Sequence, residues 1–199
     1  MAAEFLMEYK RKRRPENVLL GDMIDRYIDN RTNILSPSSV ASYRKIRRIA
    51  LQELMDVRMG YITAEMYQSA INNYAKGRSP RTVEEAHRLI FRVLKEGYVD
   101  IQEEEILLPA RVRTEVIIPT TEEVKQILEG AREKEIYLAV AFAALLGLRK
   151  SEIFALTWDD IDWEKQTVHI NKSTVKDEYG IYVIKATKTY QNYVCQGCK

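Results

Sequence analysis

Leu145-Leu-Gly-Leu-Arg-Lys-Ser-Glu-Ile-Phe-Ala-Leu-Thr-Trp-Asp-Asp-Ile-Asp162 is the stretch around which the chain is read. It enters as the end of an apolar helix and breaks at Gly147. It then restarts as an amphipathic helix whose spacing puts Ile153, Leu156 and Trp158 on the inner side. One arginine, Arg149, stands at the break. A cation at the start of a helix opposes the dipole there, so the helix gives it no reason to exist and an anionic partner is expected. Two partners fit. One is the carboxylate of Glu152, one turn on, in an ordinary ion pair; the other is a phosphate held in the guanidinium fork.

Beyond Asp162 the period changes from helix to strand. Thr167-Val-His-Ile-Asn-Lys172 alternates, Asp177-Glu-Tyr-Gly180 turns, and Ile181-Tyr-Val-Ile-Lys185 alternates again, which predicts a hairpin. His169 falls between Val168 and Ile170 and so is expected on the wetter face, in a surface role. On the other side of the stretch, Thr120-Thr-Glu-Glu123 has the form of a capping box and opens a helix with Val124, Ile127 and Leu128 on its buried side. A new domain therefore begins at 120 and runs to 199. Residues 106–119 lose all periodicity between Pro109 and Pro119 and read as a linker carrying Arg111 and Arg113.

Residues 17–105 read as a helical domain. Leu20, Met23, Ile24, Tyr27 and Ile28 have the spacing of one buried helical face. Ser36 and Pro37 cap and start a second helix with Val40, Tyr43, Ile46, Ala50 and Leu54 inward. Its other faces carry Arg44, Lys45, Arg47 and Arg48 with no acid until Glu53, a patch that suits either a phosphate-facing surface or a plain exposed helix. A third helix, from about Thr63 to Lys76, turns Met66, Ala70 and Ile71 inward and stops at Gly77. Ser79-Pro80 starts a fourth, with the stripe Val83, Ala86, Ile90, Val93 and Leu94, and His87 beside it in a structural place. None of these helices buries a face alone, so they pack as one all-helical domain. Residues 1–16 form a basic tail, Lys10 to Arg14, solvated or touching phosphates nonspecifically.

Composition sets the outer bounds. The 199 residues are 46% hydrophobic, enough for one ordinary domain or two small ones. A net charge of +2 gives no global signal for nucleic acid, so only local clustering can carry one. The longest apolar run, Ile136 to Leu148, is too short to span a membrane, and no leader is read before Glu4, so a cytoplasmic protein is expected. Cys195 and Cys198 supply two of the four ligands a structural zinc needs, and no metal site is expected.

From Gly147 to Asp162 the sequence resembles the first arginine box of the tyrosine recombinases, the phage integrase family. The resemblance implies that Arg149 binds the scissile phosphate of DNA and that Glu152 supports it, which makes the two readings of Arg149 compatible. Ser36-Pro-Ser-Ser-Val-Ala-Ser-Tyr43, with its four short helices, is similar to the family's core-binding domain, which lies across a duplex and contacts phosphates. Thr187-Lys188-Thr189 resembles the turn that holds the catalytic lysine, where Lys188 would give a proton to the departing 5′ oxygen. The fold implied is mainly α with a small antiparallel β hairpin or sheet. It comprises a helical, SAM-like core-binding domain followed by an incomplete α+β catalytic domain.

By the same resemblance the intact enzyme works as a tetramer on double-stranded DNA through a 3′-phosphotyrosyl link, with no metal, nucleotide or other cofactor. The family's histidine-x-x-arginine pair and downstream tyrosine nucleophile have no counterparts here. Tyr190 and Tyr193 sit beside the lysine turn and are no substitute. The expectation is a C-terminally truncated integrase that binds DNA without cutting it. Its rivals are a non-enzymatic DNA-binding regulator and a helical adaptor.

Overall fold

The structure is a computed structural model that describes residues 17–111 and 115–187, together with the backbone of residues 193–196. The chain divides into two compact units, 1–113 and 114–199. The division falls within the stretch read as linker, but Ile106 is only 8% exposed and belongs to the first unit's core.

Unit 1 is built from α1 (Leu20–Asp29), α2 (Pro37–Ile49), the short α3 (Gln52–Met55), α4 (Ala64–Ala75) and α5 (Pro80–Glu96). The cap residues set the helix starts. The hydroxyls of Ser36, Thr63 and Ser79 accept from the backbone N–H of Ser39, Met66 and Thr82, and Pro37 and Pro80 occupy first-turn positions where no N–H is needed. The five apolar residues read in α1 and the five read in α5 are all buried. Each fully buried aliphatic side chain contributes about 1.5–3 kcal/mol, so these stripes hold the bundle together. Two expectations fail here. Met66 is 38% exposed because Tyr67, Ala70, Ile71 and Tyr74 form the inward face of α4. The stripe of α2 does not run on as one helix to Leu54, because Leu51 takes a left-handed φ of 45° and starts α3 in a new direction.

His87 gains partners that the sequence did not disclose. It is buried, stacks on Phe91 with ring centroids 5.1 Å apart, and lies 3.1 Å from the Tyr67 hydroxyl through Nδ1. Burial, and secondarily the Glu103 charge, pushes the Tyr67 phenol far above its ordinary value, so it stays protonated and donates to Nδ1. That leaves Nε2–H facing Glu103 at 3.7 Å.

Unit 2 holds α6 (Thr121–Ala131), α7 (Tyr137–Leu146) and the four-residue α8 (Lys150–Ile153). Its strands are β1 (Ile161–Asp162), β2 (Thr167–Ile170), β3 (Lys172–Lys176), β4 (Tyr182–Ala186) and β5 (Tyr193–Gln196). The antiparallel order β1-β2-β5 pairs Ile161 with Val168 and Val168 with Cys195. A separate hairpin, β3-β4, pairs Lys172 with Ala186 and Lys176 with Tyr182. The single strand expected over 167–172 is therefore two strands in two sheets, divided at Asn171. His169 is exposed, as its alternation predicts.

The Thr120 capping box is present with both of its bonds. Yet Ile127 on α6 is 52% exposed, and α7, the most apolar helix described, has no buried residue. The unit's core is correspondingly small. Leu148, Val168 and Ile170 are buried, with Phe142, Leu146, Ile153, Leu156 and Ile161 packed around them. Trp158, expected inward, is 69% exposed. The helix lasts only to Ile153, so helical spacing carries no meaning at 158, and the ring stacks instead on Trp163, 6.4 Å away.

Candidate active site

The site in unit 2 grows from the break at Gly147. This residue closes α7 in the left-handed region, φ 65°, and lets the chain swing away. Leu148 then plugs into the small core at 9% exposure, and Arg149 takes the extended N-cap position of α8. Glu152 reaches back with both oxygens. One accepts from the Arg149 backbone N–H at 2.9 Å, the other from its guanidinium Nη1 at 2.8 Å. The carboxylate is 7% exposed while the arginine side chain is 67% exposed. A buried glutamate thus fixes the root and one edge of an arginine that is itself largely exposed, the arrangement needed to present donors to an oxyanion. The ion pair of the first reading is made, and the arginine side chain is nonetheless largely exposed.

The same pattern repeats at the end of the stretch. Asp160 Oδ2 accepts from Thr157 N–H and from its hydroxyl, both at 2.8 Å, and Lys172 Nζ stands 2.7 Å from the same oxygen. Burial alone would raise the Asp160 carboxyl, but the Lys172 bond and the Thr157 donors together hold it below its ordinary value. Thr174 Oγ1 donates to Phe154 O at 3.2 Å. The arginine stretch is thereby tied to β3, and β3 to β4. The hairpin turn is closed by Asp177, whose side chain accepts from Tyr179 N–H and Ile181 N–H. At its base Thr187 N–H donates to Asn171 O at 3.3 Å. Lys188 is the next residue and lies outside the described residues, as do Arg113, Tyr190, Cys198 and the basic tail; Tyr193 and Cys195 are described in backbone only.

In unit 1 the four cations of α2 do not act alike. Arg44 pairs with Asp25 at 3.1 Å and with Asp29, and Arg47 Nε donates to Asp25 at 3.0 Å and to Gly21 O at 3.0 Å. The patch read as lacking counter-charge is therefore countered from α1, and only Lys45 and Arg48 are exposed. Arg47 reaches Asp25 across the bare backbone of Gly21, where a Cβ would sit 2.5 Å from its Nη2. Arg88 and Arg92, which the sequence reading passed over, line a groove between α2 and α5 together with Ser42, Tyr43 and Ile46. Their signal was the spacing Arg81, Arg88, Arg92 along one face of α5. Arg111 is held by Glu84. Among the described residues no group of histidine, cysteine, aspartate or glutamate could hold a metal ion, and no helix is long and apolar enough to cross a membrane.

Comparison with known proteins agrees with this geometry. The phage integrase family matches residues 118–194. A "tyrosine recombinase XerC-like" protein of Caldanaerobacter subterraneus subsp. tengcongensis is 27% identical over 187 residues, covering 83% of this chain and 47% of that protein. Two solved structures of the Tn1549 transposon integrase are similar in fold. The complex with transposon right end DNA has a TM-score of 0.69 at 17% identity, covering 90% of this chain and 61% of that one. A complex with a circular intermediate DNA has a TM-score of 0.69 at 18% identity, covering 89% and 60%. The chain spans about half the length of the curated relative it matches. The arginine stretch lies inside the region that matches the phage integrase family, and the fold resembles that of the transposon integrase over most of the chain.

Proposed function

We propose that this chain holds duplex DNA as part of a site-specific tyrosine recombinase acting in DNA integration, and that it does not cleave DNA alone. The observation that carries the reading is the Arg149–Glu152 pair, in which a buried carboxylate orients an exposed guanidinium. In a complex, that fork takes a non-bridging oxygen pair of a backbone phosphate, and charge developing on the phosphorane is met by a group already in position. Lys188, by its place after the β3-β4 hairpin, is the proposed proton donor to the leaving 5′ oxygen. Breaking the strand further requires a nucleophile in line with that oxygen, and none is assigned in this chain.

In unit 1 the proposed backbone contacts are Lys45 and Arg48 on the exposed side of α2, with Arg88 and Arg92 in the groove beside it. Arg44 and Arg47 serve chiefly to bind α2 to α1. Arg111 and Arg113 add charge after the bundle. Such contacts fix register on the duplex without reading sequence. Double-stranded DNA is the partner, cytoplasmic in location, and assembly as a tetramer on paired sites follows from the family. No cofactor is required.

A gel-shift titration at several salt concentrations tests this. Changing Lys45, Arg48, Arg88 and Arg92 together to alanine should flatten the log-log salt dependence by roughly 0.9 for each phosphate no longer neutralised. Arg149→Ala should lower affinity in the parent background. An unchanged slope and unchanged affinity in both variants would remove these residues from the interface. A fragment that blocks recombination by an intact relative without restoring it would favour the regulator reading.

A further inference from the structure

The chain after α5 does not leave unit 1. Tyr98 turns it back with a left-handed φ of 59°, and Val99 N–H closes on Leu94 O at 3.0 Å. Ile101 and Ile106 are buried in the core, and Leu108 packs against it. Gln68 on α4 then grips the backbone with both ends of its amide. Its Nε2 donates to Leu107 O at 3.0 Å and its Oε1 accepts from Leu107 N–H at 2.7 Å, the pair of bonds a neighbouring strand would make. Four residues on, Glu84 of α5 holds Arg111 through Nε at 2.7 Å and through Nη2, while its other oxygen accepts from Arg88 Nη2 at 2.7 Å.

We propose that Val99–Arg111 is a strap latched to unit 1 by Gln68 and Glu84, and that a nucleic-acid phosphate opens the latch by taking Arg111 from Glu84. The phosphate half of this rests on the DNA-binding reading above. One carboxylate serves two guanidinium groups, so the cluster is a cation in excess and accepts a second anion. The outer partner, Arg111, is 65% exposed and the carboxylate 27%. An ion pair so exposed holds weakly, and a backbone phosphate of equal charge offers Arg111 two oxygens where Glu84 spares it one. Arg88, the other arginine on Glu84, also lines the α2/α5 groove, so a phosphate seated there lies beside the latch. Once Arg111 has moved to the phosphate, the end of the strap is held by the neutral Gln68 clamp and the apolar side chains, with the Glu103–Lys95 pair holding its start. Glu84 is thus a positioning residue that sets when the strap is docked.

Amide hydrogen exchange on the full chain reads the strap directly at Leu107, whose N–H is the clamp donor. Gln68→Ala should raise exchange across 105–111 about tenfold, and Glu84→Gln about threefold, with amides inside α4 and α5 unchanged. A random-sequence duplex added to the parent should raise Leu107 exchange in the same way. In gel shift, Glu84→Gln should bind that duplex about threefold to tenfold more tightly, whereas Glu104→Gln, which removes the same charge from the exposed part of the strap, should not. If Leu107 exchange ignores both variants, the strap is not latched by these residues. If the parent binds duplex but Glu84→Gln gains no more than Glu104→Gln, the phosphate-competition step is overturned while the DNA-binding reading stands. Failure of the parent to bind duplex at low salt overturns both.

Discussion

Replacing Glu152 by alanine removes an acceptor that holds the start of α8, and the cost follows from the bonds it makes. The bond to the Arg149 backbone N–H is a helix-cap bond, worth about 1 kcal/mol. The ion pair to a guanidinium that is 67% exposed adds about 0.5 kcal/mol after solvent screening. Losing the buried methylene stem adds somewhat under about 1 kcal/mol. The total is about 2 kcal/mol, taken from a unit whose core is small. Glu152→Gln keeps an acceptor and should lose about half of this. Arg149→Ala, whose guanidinium is largely exposed, should lose only the ion-pair part, about 0.5 kcal/mol.

The two tryptophans of the chain, Trp158 and Trp163, both lie in unit 2 and stack on each other, so their fluorescence during urea unfolding reports this unit alone. With a urea dependence of about 1 kcal/mol per molar for so small a unit, Glu152→Ala should lower the midpoint by about 2 M, and Arg149→Ala by about 0.5 M. A Glu152→Ala midpoint within about 0.3 M of the parent, at unchanged slope, would show that this carboxylate does not hold the arginine's root.

Unit 1 should lose stability on mild acidification. Burial lowers the His87 pKa, against the smaller opposing pull of Glu103, so the native state binds a proton less readily than the unfolded chain. The contribution is therefore complete above the unfolded value of about 6.5 and is lost as pH falls below it. Helical circular dichroism during urea unfolding at pH 7.5 and 5.5 should show the drop in the parent and not in His87→Gln; an equal drop in both would assign it elsewhere. Glu84 and Glu103, held low first by their bonds to Arg111 and Lys95, release their own contributions only at still lower pH. With a nicked suicide DNA substrate the chain should form no covalent complex. An adduct that survives denaturant and vanishes in Tyr190→Phe or Tyr193→Phe would mean that a nucleophile had been overlooked.

The helical unit was legible because each of its helices signals itself locally. One apolar stripe is enough for α1, a threonine or Ser-Pro start precedes the stripe in α4 and α5, and the buried residues coincide except at Met66. The Arg149–Glu152 pair was legible for the same reason, since its partners are three residues apart on one turn. What escaped depends on distance along the chain. The acids that answer Arg44 and Arg47 come from α1, Glu84 answers Arg111 from 27 positions away, and Lys172 answers Asp160 from the start of β3. Periodicity also misleads where an element is too short to sustain it, as with Trp158 beyond the end of α8, and Ile127 shows that an apolar stripe in unit 2 does not ensure burial.

Gly21, Asp25 and Arg47 meet at one point between α1 and α2. Any side chain at 21 meets the guanidinium of Arg47, and without Arg47 the carboxylate of Asp25 is left to Arg44. Relatives that carry alanine or a larger residue at 21 should therefore turn the tip of Arg47 aside or lack it. In them, Asp25 should still be kept by its pair with Arg44. Change at 21 therefore shifts the hold on Asp25 from two arginines toward one, independently of the arginine stretch in the other unit.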